Sequence, residues 1–561
     1  MNLRILKALA LVVPLLVAAA CTDPTVAPKS TVTGANIWLD PNAYAEYMAK
    51  LYGGLVLTSQ IGPNDPGFHN GDIKLIDEGT SEFLRVNWYM QELPTDEAVI
   101  GWNDDGVPQL NRWQWTSTNT ITQAMYYRVY FEAVLANEFL RQTTSDLLSQ
   151  RGVSASLRAQ IQNYRAEARF IRAYAYWVGM DFFGNIPLVT EADPIGGPPP
   201  KQVKRADIYA YLVSELKAIH DSLPAPAGPS TYGRATPEVA DMLLAELYLN
   251  AGVYTGTEDY ADALTAAGNV IGSGQYTLES TFQNNFTSDN NLSKEIIWAA
   301  VEDGTHTQTW GGMTFTVHAG CGGSMQASWY GMDYCWGGYR MKQQAYSWFG
   351  PGDSRGAFIY DSVVAVDSTT AMRTRDSIAD SVTPDPTKWT QIDHSVHPIV
   401  ADITNFSYGV AGPKFTNKTS SGGPGSQTTM IDTDFPIFRL GEAYLIYAEA
   451  AARTGTNLAQ GVTYFNALRE RAYGNATHDV AALDKDTILA ERGRELLFEA
   501  RRRTDLIRYG LFTGGTYLWA WKGNQANGTA TDPNCNLYML PQNELTANPN
   551  LKQNPICPVS P

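Results

Sequence analysis

The sequence predicts a mainly α protein built of helix pairs, with long irregular aromatic loops and little β structure. Three observations lead there. Apolar residues recur at helical spacing in many separate segments. Two pairs of these segments share one layout. Two other stretches, rich in Gly, Trp and Tyr, show no helical period at all.

The first residues concern location. "MNLRILK" supplies Arg4 and Lys7, "ALALVVPLLVAAA" is an apolar run, and Cys21 follows three alanines. Small residues before a cysteine are what a bacterial lipoprotein signal needs. The run is too short for a comfortable membrane span, which takes ~20 residues. Ala18 stands where such signals usually hold leucine. Residues 1–20 are therefore expected to be a lipoprotein signal peptide, with Cys21 lipidated and residues 21–34, rich in Thr and Pro, a flexible tether. The alternative is an ordinary signal peptide cut nearby, leaving Cys21 as a thiol. Losing residues 1–20 removes two cations and no acid, taking the net charge from −16 to −18. That disfavours nucleic acid, whose phosphates demand a basic patch.

Helices are expected over 121–148, 162–182, 205–223, 237–252, 260–271, 439–454, 458–473 and 487–509. In the second, Phe170, Tyr174 and Trp177 recur on one stripe and Arg165, Arg169 and Arg172 on another, before Gly184 and Pro187 stop it. "LLAELYLNAGVYTG" followed by "DYADALTAAGNVIGSGQY" matches "IYAEAAARTGTN" followed by "AQGVTYFNALRERAYG". Each begins with an Ala-rich helix centred on Ala-Glu (Ala245-Glu246, Ala448-Glu449), reaches a glycine (Gly252, Gly455) and returns with a second amphipathic helix. Small residues allow close approach and the glycine supplies a left-handed cap, the physics of tetratricopeptide-like pairs. The copies here are few and separated by long inserts.

Residues 302–356 and 87–115 are long aromatic loops, and such loops on a rigid scaffold are where function sits. The chain holds 14 Trp and 30 Tyr against 19 Phe, favouring rings with one polar edge and wet recognition surfaces. If Cys21 carries lipid, four cysteines remain. Pairing Cys321 with Cys335 and Cys535 with Cys557 closes the shortest loops, a connectivity that sequence alone does not prove.

Catalytic motifs are scarce. The histidines (His69, His220, His306, His318, His394, His397, His478) form no HExxH pair, and there is no GxSxG elbow or phosphate-cradling loop. His394 and His397 read as ordinary loop or strand residues. No cofactor and no metal site is expected. "SDNNLSKE" (288–295) clusters oxygen donors but lacks the glycine and spacing of an EF-hand, so a turn into a helix or strand is the simpler account. Asp96, Glu97, Asp104 and Asp105 share one loop and leave glycoside hydrolysis open, since its carboxylates meet in space. In "ERGRELLFEARRRTD", the four-residue spacing of Glu495, Glu499 and Arg503 predicts surface ion pairs.

At this point the residues resemble a known family. "AEARFIRAYAYWVGMDFFGNIPLVTE" (166–191), "ELPTDEAVIGW" (92–102) with "NRWQW", "FPIFRLGEAYLIYAEAAARTG" (435–455), "ILAERGRELLFEARRRTDLIRYG" (488–510) and "LPQNELTANPNLKQNP" (540–555) are similar, in order, to the hallmarks of the SusD/RagB-like outer-membrane lipoproteins. The resemblance implies a right-handed superhelical scaffold of tetratricopeptide-like pairs, its N-terminal part at 35–300 and C-terminal part at 301–561 packed as one body. It makes the 165–189 helix scaffold, with aromatics in the core and arginines paired or solvated. It implies a non-catalytic, surface-exposed protein of the outer membrane that captures oligo- or polysaccharide and passes it to a TonB-dependent SusC-like barrel. Peptide capture and a lipid-anchored hydrolase are the alternatives. Sugar rings stack on Trp or Tyr while rim polar groups bind hydroxyls. Trp102, Asn103 and Asp104 are the first candidates, where related proteins carry a stacking Trp; Trp310, Trp329 and Tyr330 come next. Trp113 and Trp115 alternate, so one is expected in the core, and Trp336 and Tyr334 beside Cys335 can be packing on the disulfide.

Overall fold

The computed structural model describes residues 34, 36–63, 71–74, 76–77, 79–322, 325–350, 352–358, 399, 403–404 and 410–558, with the backbone of 360–362, 373–374 and 377–378. Residues 1–20, expected to be a signal peptide, Cys21 with nearly all of the expected tether, His69, His394 and His397 lie outside the described residues. In chain order the elements that matter are α1 (Phe83–Glu92), β1 (Ala98–Ile100), α2 (Thr120–Gln142), α3 (Ala155–Phe183), α4 (Arg205–Ile219), α5 (Pro237–Leu249) and α6 (Tyr260–Gly272). They are followed by β2 (Ile296–Ala300), α7 (Gly312–Ala319), β3 (Tyr339–Met341), β4 (Phe435–Arg439), α8 (Leu440–Thr454), α9 (Leu458–Tyr473), α10 (Lys485–Leu496) and α11 (Arg502–Arg508).

The helices form one stack: α2 packs on α3, α3 on α4, α4 on α5, α5 on α6, α6 on α8 and α8 on α9. The two look-alike pairs, α5–α6 and α8–α9, are neighbours in space although residues 273–439 separate them in sequence. Buried alanines explain the fit: Ala245 and Ala448, at the centres of the first helices, have no exposed surface. Among the described residues no helix is long and apolar enough to cross a membrane.

Helix α3 is scaffold. Ser154 caps its start by accepting from Leu157 N–H. Phe170 and Tyr174 pack edge-on against Trp298 of β2, ring centroids 5.1 and 4.9 Å apart. Arg169 donates twice to Glu215, at 2.8 and 2.6 Å. Arg172 donates to Glu215 (2.8 Å), to Asn137 (2.6 Å) and to Glu191. Arg165 donates to Leu140 O and Thr143 Oγ1. Arg172 is buried and Arg165 and Arg169 are half-buried, and each guanidinium finds acceptors on the neighbouring segments.

Four expectations need correction. The helix over 487–509 is broken: α10 ends at Leu496, α11 starts at Arg502, and Phe498 and Ala500 between them take positive φ of 62° and 57°. Glu97 accepts the Phe498 N–H (3.0 Å) and Trp88 Nε1 donates to Phe498 O (3.1 Å), bonds from α1 and its loop that hold the kink. The surface ion pairs therefore do not form. Glu499 turns inward to Arg439 (2.7 and 2.8 Å) and Lys414 (2.6 Å), while Arg503 donates to Asp181 (3.0 Å). Residues 302–356 also contain helix α7, all eight residues buried; burial on every side leaves no amphipathic stripe to read. Finally, α5 stops at Leu249, and the left-handed cap belongs to Gly256 (φ 81°) after a short turn, not to Gly252.

β2 pairs antiparallel with β4, and β1 with β3. Residues 288–295 form the 3-10 turn Asn290–Leu292 that leads into β2. Asp289 there is taken by Ser420 and Thr287, and Glu295 by Arg439 and Arg471. Among the described residues no group of His, Cys, Asp and Glu is arranged to hold a metal. Disulfides join Cys321 to Cys335 and Cys535 to Cys557.

The C-terminal ion network generates a pH prediction. Glu491 and Asp505 are fully buried; burial raises their pKa, but Arg355, Arg494 and Arg469 around the first, and Arg492 and Arg508 around the second, outweigh it and bring both to about 2. Groups depressed by folding stabilise above their unfolded pKa and lose that stabilisation as pH falls toward the folded value. That contribution should be lost between pH 4.5 and 2, read as urea midpoints that fall over this range. Glu495→Ala, which takes one carboxylate from each of three buried arginines, should cost about 3–5 kcal/mol in urea denaturation at pH 7.

Candidate functional site

The β1–β3 ladder brings the two aromatic loops together. Ile100 pairs with Tyr339, so Trp102, two residues past β1, meets the chain just before β3. There Trp336 lies 6.3 Å from Trp102, centroid to centroid. Gly338 makes room: a Cβ at that position would stand 2.7 Å from Trp102 Cζ2. Trp310, just before α7, reaches Trp336 at 6.2 Å, and Phe315 of α7 meets Trp102 edge-on at 6.0 Å. Trp102, Trp310 and Trp336 are each half-buried, and Tyr334, 44% exposed, lies 6.3 Å from Trp336.

Arg85 of α1 sits beneath these rings. Its guanidinium lies 4.4 Å from the Phe315 centroid and 5.9 Å from that of Trp102. Nε donates to Tyr89 Oη, and Nη1 to Gly79 O and Trp310 O, all at 3.0 Å. For Nη2 no acceptor is found among the described residues. Beside it opens a cleft of about 190 Å³, lined by Asp77, Thr80, Ser81, Asp104, Asp105 and Gln123 among others.

The Trp336 side is braced from behind. His318 of α7 stacks on Trp336 at 4.7 Å and 22°. Its Nδ1 lies 2.8 Å from Tyr334 O and its Nε2 3.0 Å from Thr429 O. Burial lowers its pKa, opposed by those carbonyls. The Cys321–Cys335 bridge clips the loop next to Trp336.

Of the predicted residues, the structure brings together Trp102 and Trp310, with Asn103 and Asp104 exposed alongside. Tyr330 is 6% exposed and lies in the core instead. Trp329 is half-buried on the same 3-10 turn, Ala327–Tyr330, and no ring contact among the described residues joins it to the cluster. Trp113 and Trp115 are both core, 5.3 Å apart. Trp336, read from sequence as packing beside the disulfide, joins this cluster, and Arg85 was not singled out. A lone arginine inside the apolar run "FLRVNWYM" was the available signal for Arg85; Trp336 had none beyond being one tryptophan of several.

The suspect acids divide. Asp96 is buried, accepting from Arg502 at 2.8 and 2.7 Å and from Tyr517 at 2.6 Å. Glu97 is buried too, and burial with the neighbouring Glu92 carboxylate raises its pKa well above the usual range. Both are held in the core, leaving Asp104 and Asp105 alone to offer that loop's carboxylates to solvent.

Known proteins share both the sequence and the fold. A sequence model of the SusD family matches residues 294–556. The chain is 34% identical over 498 residues to the starch-binding protein SusD of Bacteroides thetaiotaomicron, covering 85% of this chain and 86% of that protein. It is 27% identical over 448 residues to SusD-like protein P2 of Formosa agariphila, covering 73% and 77%. Surface glycan-binding protein A from Bacteroides fluxus has the same fold, with a TM-score of 0.65 at 20% identity, covering 94% of this chain and all of that one. So does surface glycan-binding protein A from Bacteroides thetaiotaomicron in complex with laminarihexaose, with a TM-score of 0.65 at 18% identity, covering 91% and 98%.

The clip and the stack predict a spectroscopic result. Cys321→Ser with Cys335→Ser should release Trp336, weakening near-ultraviolet circular dichroism from the coupled tryptophans. The far-ultraviolet helical signal, which comes from the stack, should stay unchanged.

Proposed function

This chain belongs to the SusD family, and from that premise we propose that it is a non-catalytic glycan-binding lipoprotein whose ligand lies across Trp102, Trp310 and Trp336. The observation that carries the reading is the convergence of three half-buried tryptophans, with centroid separations of 6.2 and 6.3 Å, beside an arginine that packs on Trp102 and donates to Trp310 O. Pyranose rings present apolar C–H faces to such rings, and their hydroxyls accept from Arg85 and bond with Asn103, Asp104 and Asp105 at the rim. One relative is a starch-binding protein and one protein of the same fold is in complex with laminarihexaose, and both support a glucan-type ligand.

The cell-surface part of the proposal rests on the sequence: residues 1–20 as a lipoprotein signal, Cys21 as the lipid attachment, and delivery of the captured glycan to a TonB-dependent SusC-like barrel in the outer membrane. Asp96 and Glu97 are tied up in the core, which argues against a hydrolase built on that loop.

The test uses the chain without its signal and Cys21, titrated calorimetrically with starch, laminarin and oligopeptides while product release is followed. Glycan binding without product is expected. Trp102→Ala or Trp336→Ala should weaken it about tenfold or more, ~1.5–3 kcal/mol for a lost stacking ring. Trp329→Ala should change it less than about twofold, about 0.4 kcal/mol. Peptide binding alone would replace the cargo, and product release would return attention to catalysis. The carboxylates of Asp77, Asp104 and Asp105 in the adjoining cleft give a second expectation. Polygalacturonate should bind at least about tenfold more weakly than neutral glucans at low salt, the gap narrowing as salt screens the repulsion.

A further inference from the structure

The glycan platform is assembled from two elements far apart in sequence, α1 with Arg85 and α7 with Trp310 just before it. One side chain joins their starts. Glu82 is fully buried. Its Oε1 accepts from Leu84 N–H at 2.5 Å and its Oε2 from Arg85 N–H at 2.9 Å, capping α1. The same Oε2 accepts from Gly312 N–H at 2.5 Å, the first residue of α7. Arg85 Nη1 closes the circuit by donating to Trp310 O.

The local sequence is shaped around that carboxylate. A Cβ on Gly311 would lie 2.6 Å from Glu82 Oε2. Gly312 has a φ of 51°, and a Cβ there would run into Glu302 Oε1. "GG" before α7 therefore admits two carboxylates to one helix start. Farther along, α7 supplies Phe315 beneath Arg85 and Trp102, and His318 behind Trp336. The β1–β3 ladder places Trp102 and Trp336, and Arg85, Phe315 and His318 brace those rings from the two helices that share this capping group.

Resting on the glycan-binding reading above, we propose that Glu82 is the positioning residue of this platform. Its single carboxylate caps α1 and α7 together and fixes Arg85 relative to Trp310 and Phe315, so that glycan affinity follows its ionisation. The ionised group accepts all three N–H bonds. Protonation turns one oxygen into a donor among donors, and the cap loosens.

The charged surroundings define the pH window. Burial pushes the Glu82 pKa up to about 7, against the three N–H groups and Arg128 of α2. Glu302, ahead of α7, accepts from Met313 N–H at 3.1 Å, and burial with the Glu82 charge holds it well above the usual carboxylate range. Asp434, just before β4, accepts from Glu302 N–H at 2.7 Å and from Tyr232 Oη at 2.6 Å, and burial raises it to about 7. Glu82 is charged above its pKa and neutral below it, so affinity should rise with pH.

The test measures calorimetric affinity for maltoheptaose and laminarihexaose between pH 5.5 and 8. Wild-type affinity for whichever binds should rise about tenfold across that range, the scale of one charge-assisted hydrogen bond. Glu82→Gln should bind at pH 8 about as weakly as wild type at pH 5.5, with a flat profile. Gly311→Ala, at backbone angles that alanine accepts, presses a methyl on the same oxygen and should weaken binding without altering any charge. Wild-type affinity that is flat with pH overturns the proposal, as does folded Glu82→Gln with wild-type affinity and slope. Should Glu82→Gln fail to fold, the wild-type profile and Gly311→Ala decide. Failure of wild type to bind any neutral glycan at any pH would instead sink the underlying reading, a result distinguishable from all of these.

Discussion

Glu495 has no exposed surface and holds three guanidiniums at once. It takes Arg355 from the turn after the aromatic loop (2.9 Å), Arg439 from the end of β4 (2.6 Å) and Arg471 from the last turn of α9. Arg439 in turn reaches Glu295, just before β2, at 2.9 Å and Glu499 at 2.7 Å. A buried carboxylate left alone costs several kcal/mol, so none of these segments can shift without stranding a charge. The network sits where β2 and β4 leave and rejoin the helix stack, and Leu440 N–H donates to Glu295 O at the same junction. Everything between, including Trp310, Trp336 and α7, is carried from that anchored stem.

How much of this could be read from sequence depended on repetition as well as on one-sided burial. Helices α6 and α9 each bury one stripe, whereas α5 and α8 are buried on nearly every side and were disclosed by their length, their Ala-Glu centres and their shared layout. The kink at 497–501 stayed hidden because a buried ion network and a solvated charged face write the same letters. "ERGRELLFEARRRTD" looks like surface until Glu97 and Trp88, some four hundred residues earlier, are placed against Phe498. Helix α7 was invisible because it is only eight residues long, occurs once and is buried all round.

The site was half legible. Trp102 and Trp310 were found because aromatic loops were expected to hold stacking rings. Choosing Trp336 over Trp329 required the pairing of Ile100 with Tyr339, a register set by three-residue strands too short to announce themselves. Once formed, the platform is braced by a ladder, a disulfide, the His318 stack and the Arg85 bonds. Rings held this way give up little conformational freedom when a ligand arrives, which suits shallow contacts with a polymer that offers few strong bonds.

The stem also bears on how such a protein can change over time. Because α6 packs directly on α8, the helix stack is continuous whether the excursion between them is long or short. The described residues between 301 and 434 form a cassette that Glu295 and Arg439 clamp at its two ends and that Arg355, Lys414 and the β1–β3 pairing tie down inside. A lineage can rewrite only what lies between those ties without renegotiating the fold. The limit is Trp102 and Arg85, which belong to the stack's own side of the platform. A new cassette must still present a partner to that fixed half, so cargo repertoire should drift in steps around a constant corner.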